Sequence, residues 1–286
     1  MLIDTHAHLD YPDFEVDFKD VLNRADAAGV KRIISIGTSI ESSRRAVLLT
    51  GNFPNVFAVI GVHPSYVEEA EEDVITPLRE LAAHPRVVAI GETGLDYHRL
   101  PSTENKTAQR ALFGSVSTEE PASVEGSIAD GAYKNAQAAL FQQQLDLAAE
   151  LGLNVVIHQR AAWDDTLAIL KEYTGKLRAV FHCFGETFER AQEVISLGHM
   201  VSFTGIVTFK NAPLVHECAA RLSSEQFMVE TDCPYLAPAP FRGKRCEPAH
   251  TRLVAEKIAA LRGETLDQVA ENTTRNALGF FRFPRS

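Results

Sequence analysis

The sequence predicts an α/β chain folded as one (β/α)8 barrel of the TIM type. Three observations carry this expectation. Eight short apolar runs rich in β-branched residues recur along the 286 residues, and amphipathic stretches lie between them. The runs are continuous rather than alternating, which marks strands buried on both faces, as parallel strands are. No G-x-G-x-x-G opens a helix after the first run, which argues against an open dinucleotide-binding sheet.

The elements follow in order. Leu2–Asp4 is the first strand, and the period of Asp17–Ala28 is helical. Arg32–Ile36 and Val56–Ile60 are the second and third strands, Pro77–Ala83 is a helix, and Val87–Ile90 is the fourth strand. Pro101–Asn135 then breaks the rhythm with small and polar residues and little periodicity. It reads as a loop inserted at about 101–135 into a single domain spanning 1–286, either a solvated excursion or a lid over the barrel mouth. The rhythm returns with the helix Ala136–Leu151 and the strand Asn154–Ile157. Trp163–Tyr173 and Phe188–Leu197 are helices around the strand Ala179–Phe181, and Met200–Phe203 and Phe227–Val229 complete the eight.

Composition narrows the class. Lys and Arg total 28 against 38 Asp and Glu, a formal charge of −10, with 45% hydrophobic and 23% charged residues. That balance fits a globular protein and excludes a disordered tail or a collagen-like fibre. The acidic chain argues against a protein that coats duplex DNA through a basic face, but not against an enzyme acting on a polyanion with bound cations. The four cysteines contain no C-x-x-C, so free thiols in a cytoplasmic, reducing compartment are expected. The N-terminal MLIDTHAHLD lacks the pattern of a signal peptide, and no apolar stretch is long enough to span a membrane.

Ligand-type side chains sit at the strand ends. His6 and His8 are two apart, so an extended backbone turns both rings to one side. Glu92 follows the fourth run between Gly91 and Gly94, His158 the fifth, His182 the sixth and Asp232 the eighth. Each alone reads as readily as a hydrogen-bonded turn residue. A barrel, however, converges all these ends on one mouth. Four histidines and two carboxylates suit a pair of divalent ions (Mg, Mn or Zn) with Glu92 as a bridge. Such a pair activates water and stabilises an in-line phosphoryl displacement. Glu92 and Asp232 are therefore the expected catalytic carboxylates, Asp232 also as a proton acceptor. The same donors also support hydrolysis of a non-nucleic amide or ester, an alternative the residues alone leave open.

The segments DTHAHLD (4–10), GVHP (61–64), GETGLD (91–96), IHQR (157–160), HCFGE (182–186), ETDCPYLAP (230–238), RGKRCEPAH (242–250) and ENTTRNA (271–277) resemble, in order, those of the TatD family of metal-dependent deoxyribonucleases in the amidohydrolase superfamily. The resemblance implies a barrel, two divalent cations and hydrolysis of DNA phosphodiesters, often from an end, in DNA repair or turnover. It implies His6, His8, Glu92 and Asp232 around one cation and Glu92, His158 and His182 around the other. It also implies His63 near substrate. Two departures, Gln159 where the family commonly has Ser and Cys246 where it has Asn, touch substrate contacts rather than ligands. Arg160 is a candidate phosphate clamp. Lys210 and the loop holding Arg242, Lys244 and Arg245 form a local cationic cluster able to attract DNA. Phe209 and Tyr235 are candidates for stacking on a base, and Cys183 and Cys233 for packing. The expected partner is DNA, single-stranded or at its ends, with no membrane and no obligate protein partner.

Overall fold

All eight runs become parallel strands in the computed structural model, which describes residues 1–98, 100–102 and 124–284. The strands are β1 (Leu2–Ala7), β2 (Val30–Ile36), β3 (Val56–Ile60), β4 (Val87–Asp96), β5 (Val155–Arg160), β6 (Ala179–Phe181), β7 (Met200–Phe203) and β8 (Phe227–Val229). They pair in sequence order in one sheet. A parallel bridge between Ala7 and Cys233 joins the two edges, with His8 N donating to Cys233 O and Asp232 N to His6 O, both at 2.8 Å. The sheet therefore closes as a single (β/α)8 barrel.

The helices are α1 (Phe18–Ala27), α2 (Ile40–Asn52), α3 (Ile75–Ala82), α4 (Val124–Leu151), α5 (Trp163–Lys171), α6 (Phe188–Ser196), α7 (Pro213–Arg221), α8 (Thr251–Arg262) and α9 (Leu266–Phe280). Local chemistry sets several of their ends. Ser39 caps α2 by accepting from Ser42 N, Thr187 caps α6 through Arg190 N, and Thr265 with Gln268 forms a capping box on α9. Gly263, at φ 68°, stops α8.

Helix α4 corrects the sequence expectation at 101–135. Residues 124–135 belong to a helix, although Gly126 and Gly131 break any apolar period there. Once a packed helix is nucleated its extension costs little, and two glycines oppose it by only about 1 kcal/mol each. Ser102 also binds the helix, donating from N and Oγ to the Asp130 carboxylate at 2.9 and 2.6 Å. The remaining part of the expected loop, 103–123, lies outside the described residues.

The core has two parts. One lies between sheet and helices, around Phe14, Leu78, Phe141 and Leu170. The other fills the barrel interior with Ile3, Ile34, Val59, Val88, Val156 and Met228, and Phe280 at the end of α9 with Phe281 just after it plugs it from below. Arg282 N donates to Val88 O at 3.0 Å, which fixes the plug against the start of β4. Among the described residues no helix is long and apolar enough to cross a membrane.

Candidate metal centre

Three strands run further than their apolar runs suggest. β1 continues through His6, β4 through Glu92 to Asp96, and β5 through His158 to Arg160. These polar ends are extended chain, so His6, Glu92 and His158 leave a rigid sheet, while His8, His182 and Asp232 follow just beyond β1, β6 and β8. Two glycines make β4 possible. At Gly91 (φ 138°) an added Cβ would lie 2.6 Å from Val156 O, and at Gly94 (φ 141°) it would overlap the His158 carbonyl.

The six expected ligands meet. His6 Nε2 lies 3.3 Å from His8 Nε2, 3.4 Å from Glu92 Oε2 and 3.6 Å from Asp232 Oδ1. His8 Nε2 is 3.3 Å from the same Asp232 oxygen. On the other side, Glu92 Oε1 is 2.9 Å from His158 Nδ1 and 2.8 Å from His182 Nε2, and those two nitrogens are 3.2 Å apart. Each oxygen of Glu92 thus faces a different set of imidazoles.

The donor chemistry fits divalent cations. His8 Nδ1 lies 3.2 Å from the Ile36 carbonyl, which can only accept, so a proton on Nδ1 leaves Nε2 the nitrogen that would ligate a cation. His6 Nδ1 is buried without a partner, and its ring stacks on His182 at 4.1 Å. Nitrogen lone pairs converging with carboxylates in a dry pocket are what cation binding resolves. Among the described residues, His6–His8–Asp232, His6–His182–Glu230 and His63–Glu92–His158 are each close enough to hold an ion.

A family model described as TatD related DNase matches residues 3–282. The chain belongs to this family. The metal-dependent hydrolase YabD of Bacillus subtilis is 36% identical over 283 residues, covering 99% of each chain. The 3'-5' ssDNA/RNA exonuclease TatD of Citrobacter rodentium is 33% identical, covering 98% of this chain and 97% of its own. The solved structure of the TatD homologue YJJV from Escherichia coli K12 superposes with a TM-score of 0.83 at 26% identity, covering 99% and 98% of the two chains. The protein is therefore a TatD-family metal-dependent hydrolase.

Four buried polar residues around this TatD-family centre were not read from the sequence. Asp96 Oδ2 sits 3.1 Å from His158 Nε2, which turns Nδ1 toward Glu92. Glu230 accepts from Cys183 N at 2.7 Å and Ser202 Oγ at 2.6 Å, and lies 3.6 Å from His182 Nδ1. Gln137 and Gln144, both fully buried on α4, replace a missing strand. β3 ends at Ile60, so the β4 edge beyond Ile90 has no β3 neighbour. There Gln137 accepts from Asp96 N at 2.9 Å and donates to Asp96 O and Pro64 O, while Gln144 bonds the Val62 backbone and Thr93 Oγ1. Their seven-residue spacing on the face of Phe141 and Leu145 was the available signal.

Charge is distributed across the centre. Burial opposes ionisation of Glu92, but His182, His63 and His6 hold its carboxyl well below the usual range. Burial likewise opposes a charge on His182, yet Glu92 and Glu230 hold it well above the ordinary imidazole value. His63 goes the other way. Burial, then the neighbouring His158, press it down to about 3, with its Nε2 3.6 Å from Glu92 Oε1. Backbone strain gathers here too: Asp232 (φ 58°), Cys183 (φ 49°) and Ala161 (φ 54°) lie at or within three residues of a ligand.

The expected substrate cations divide. Arg160 is exposed at the end of β5, Lys210 is exposed in the segment after β7, Lys244 is exposed in the β8 loop, and Arg242 lies over Phe209 at 4.2 Å. Arg245 is instead committed to structure. It donates to Asp17 at 2.8 and 2.7 Å and packs over Phe14. Cys183 is part-buried and Cys233 fully buried, with Cys183 Sγ against Thr204 Oγ1 at 3.5 Å. Tyr235 is exposed, edge-on to Tyr11 at 6.2 Å.

Proposed function

We propose that this hydrolase cuts phosphodiester bonds of single-stranded DNA from an end, using two divalent cations (Mg, Mn or Zn). One observation carries the reading: the two oxygens of Glu92 face two separate imidazole groups, His6 and His8 on one side and His158 and His182, with His63 at 3.6 Å, on the other. A carboxylate so placed is a bridge, which a single-ion site does not need. The exonuclease name carried by the Citrobacter rodentium relative supports the substrate and the attack from an end. Cytoplasmic DNA turnover or repair belongs to the same reading.

In this reading His6, His8 and Asp232 would hold one cation, His158 and His182 the other, and Glu92 would serve both. Bound divalent cations lower the pKa of a coordinated water and neutralise charge on a phosphoryl oxygen. The chain's own residues do the rest. Burial opposes ionisation of Asp232, but His8 and His6 hold its carboxyl below the usual range, so it stays ionised as an anionic donor to a cation. Asp96 and Glu230 keep His158 and His182 turned toward Glu92. Arg160, Lys210, Arg242 and Lys244 draw the phosphates to the mouth.

The test is hydrolysis of one single-stranded oligonucleotide labelled at its 3′ or its 5′ end, with Mg²⁺ or Mn²⁺, with and without chelator. Stepwise release of mononucleotides from one end, abolished by chelator, is expected. No cleavage with either cation, or cleavage that survives chelation, overturns the reading.

A further inference from the structure

The mouth is unevenly charged. The exposed cations Arg160, Lys210, Arg242 and Lys244 follow β5, β7 and β8. The opposite side, after β1, β2 and β3, holds a cavity of about 310 Å³ with the rings of Tyr11 and Tyr66 among its walls. Thr38 and Val62 also line it, and the exposed carboxylates Glu69 and Glu71 stand at its edge. Arg45, the cation among its lining residues, is paired with the buried Asp10 carboxylate at 3.0 Å. A phosphate is attracted to the first side and repelled from the second.

Two walls of the cavity also touch residues of the metal centre. The Tyr11 ring stacks on His8 at 4.9 Å and 22°. The Tyr66 ring stands edge-on to His63 at 6.4 Å, and His63 faces Glu92. Tyr66 is 36% exposed, within reach of a ligand. Two phenol rings, a slot of ligand size and an anionic edge suit a flat neutral ring that carries amino donors.

We infer that the Tyr11–Tyr66 cavity is a nucleobase pocket, filled by a base of the strand whose phosphates lie along the cationic side. The inference rests on the nuclease reading and deepens it by naming which part of the substrate enters which side. Base–aromatic stacking is tolerant of sequence because every base has a flat face. The pocket therefore confers preference for a base over none, rather than for one base over another.

The test compares a single-stranded oligonucleotide with copies carrying an abasic tetrahydrofuran residue at the terminal or the penultimate position. Tyr66→Ala and Tyr66→Phe are assayed beside the wild type, because Tyr11 touches His8 and its loss would disturb the centre. Wild type should favour the base-bearing strand over one of the abasic copies. Tyr66→Ala should lower kcat/KM on the base-bearing strand by about five- to a hundredfold. It should leave the rate on that abasic copy unchanged, and Tyr66→Phe should restore the preference. Equal losses on both strands, or none, overturn the pocket. Binding of the same labelled strands by fluorescence anisotropy separates the two readings. A strand bound through its base but not cut retires the nuclease and keeps the pocket. A strand cut without regard to its base keeps the nuclease and retires the pocket, and a strand neither bound nor cut overturns both.

Discussion

The two ends of this barrel are built from the same eight strands and obey opposite rules. At the base, Ile3, Val88, Val156, Met200 and Met228 meet the plug of Phe280 and Phe281 in a fully apolar interior. At the mouth, Asp4, His6, Glu92 and Glu230 are just as buried and all are polar. The base gains from burial, about 1.5–3 kcal/mol for each large apolar side chain. The mouth opposes folding, because buried carboxylates and positive-φ residues are costly wherever they are not compensated. Stability supplied below thus permits a preorganised cation cage above, and substitutions at the two ends should separate activity from stability.

The largest effect is expected at the bridge. Glu92→Ala should remove at least tenfold of the hydrolysis rate, a minimum for a catalytic group, and lower the cation content, while Tm stays within a few degrees. Metal analysis beside a rate assay reads both. A variant keeping more than about a tenth of the wild-type rate at saturating metal would break the assignment. The mirror experiment is Phe281→Ala. It should cost about 3–5 kcal/mol of stability by denaturant titration, since it opens a cavity in the plug. Its cation affinity should match the wild type, and a loss there would show that the two ends are not separable.

Gln137 lies on the boundary between these regimes. Its carboxamide holds the Asp96 backbone, and Asp96 holds His158. Gln137→Met should therefore weaken cation binding by about ten- to a hundredfold, the usual range for a residue that orients a ligand. The control is Asn276→Ala, which removes two carbonyl contacts at the base, to Ser224 O and Phe227 O. Both variants should lose Tm, and only Gln137→Met should lose affinity in a chelator competition titration. Equal affinities in the two would reduce Gln137 to a structural brace.

The contrast between ends also explains what the sequence made legible. Val56–Ile60, Ala179–Phe181, Met200–Phe203 and Phe227–Val229 have the same bounds in sequence and structure, because continuous apolar runs mark strands buried on both faces. β1, β4 and β5 were read short, since their mouth ends carry His6, Glu92 and His158 and look like loops. The six candidate ligands were legible because histidines and carboxylates directly after apolar runs are conspicuous. Asp96 and Glu230 were not, because each is a lone polar residue whose partners, His158 and Cys183, come from elsewhere in the chain, and Gln137 and Gln144 left only their seven-residue spacing on α4 as a signal. The role of Arg245 was invisible for the same reason: Asp17 lies 228 positions away.

Salt should sharpen the division within the mouth itself. With Arg245 held by Asp17, Arg242 and Lys244 are the cations of that loop left to meet phosphate. Replacing both with Ala should flatten the dependence of log affinity on log salt by up to about 1.4, at about 0.7 for each phosphate on a single strand. Arg245→Ala should instead lower Tm and leave the slope alone. A slope unchanged by the double variant would remove the loop from the binding surface.

The smallest effect belongs to the base and is a matter of pH. His199 precedes β7, is 3% exposed, accepts from Ala179 N at 3.2 Å through Nδ1, and has its Nε2 buried without a partner. Burial, then the nearby Arg178 charge, press its pKa from 6.5 down to about 4. The folded protein therefore refuses a proton that the unfolded chain accepts. Above pH 6.5 both states hold a neutral ring and the residue contributes no pH dependence. As pH falls from 6.5 toward 4, the unfolded chain gains protons first and stability is lost. Between pH 7 and 6 the loss is under about 1 kcal/mol, and it deepens toward pH 4. His199→Gln keeps an acceptor for Ala179 N and cannot titrate. Denaturant midpoints of the two proteins, measured at saturating cation so that the mouth histidines stay fixed, should converge above pH 7 and diverge in favour of the variant below 6. Parallel curves would mean that this histidine is hydrated in solution and that the base of the barrel is wetter than its plug implies.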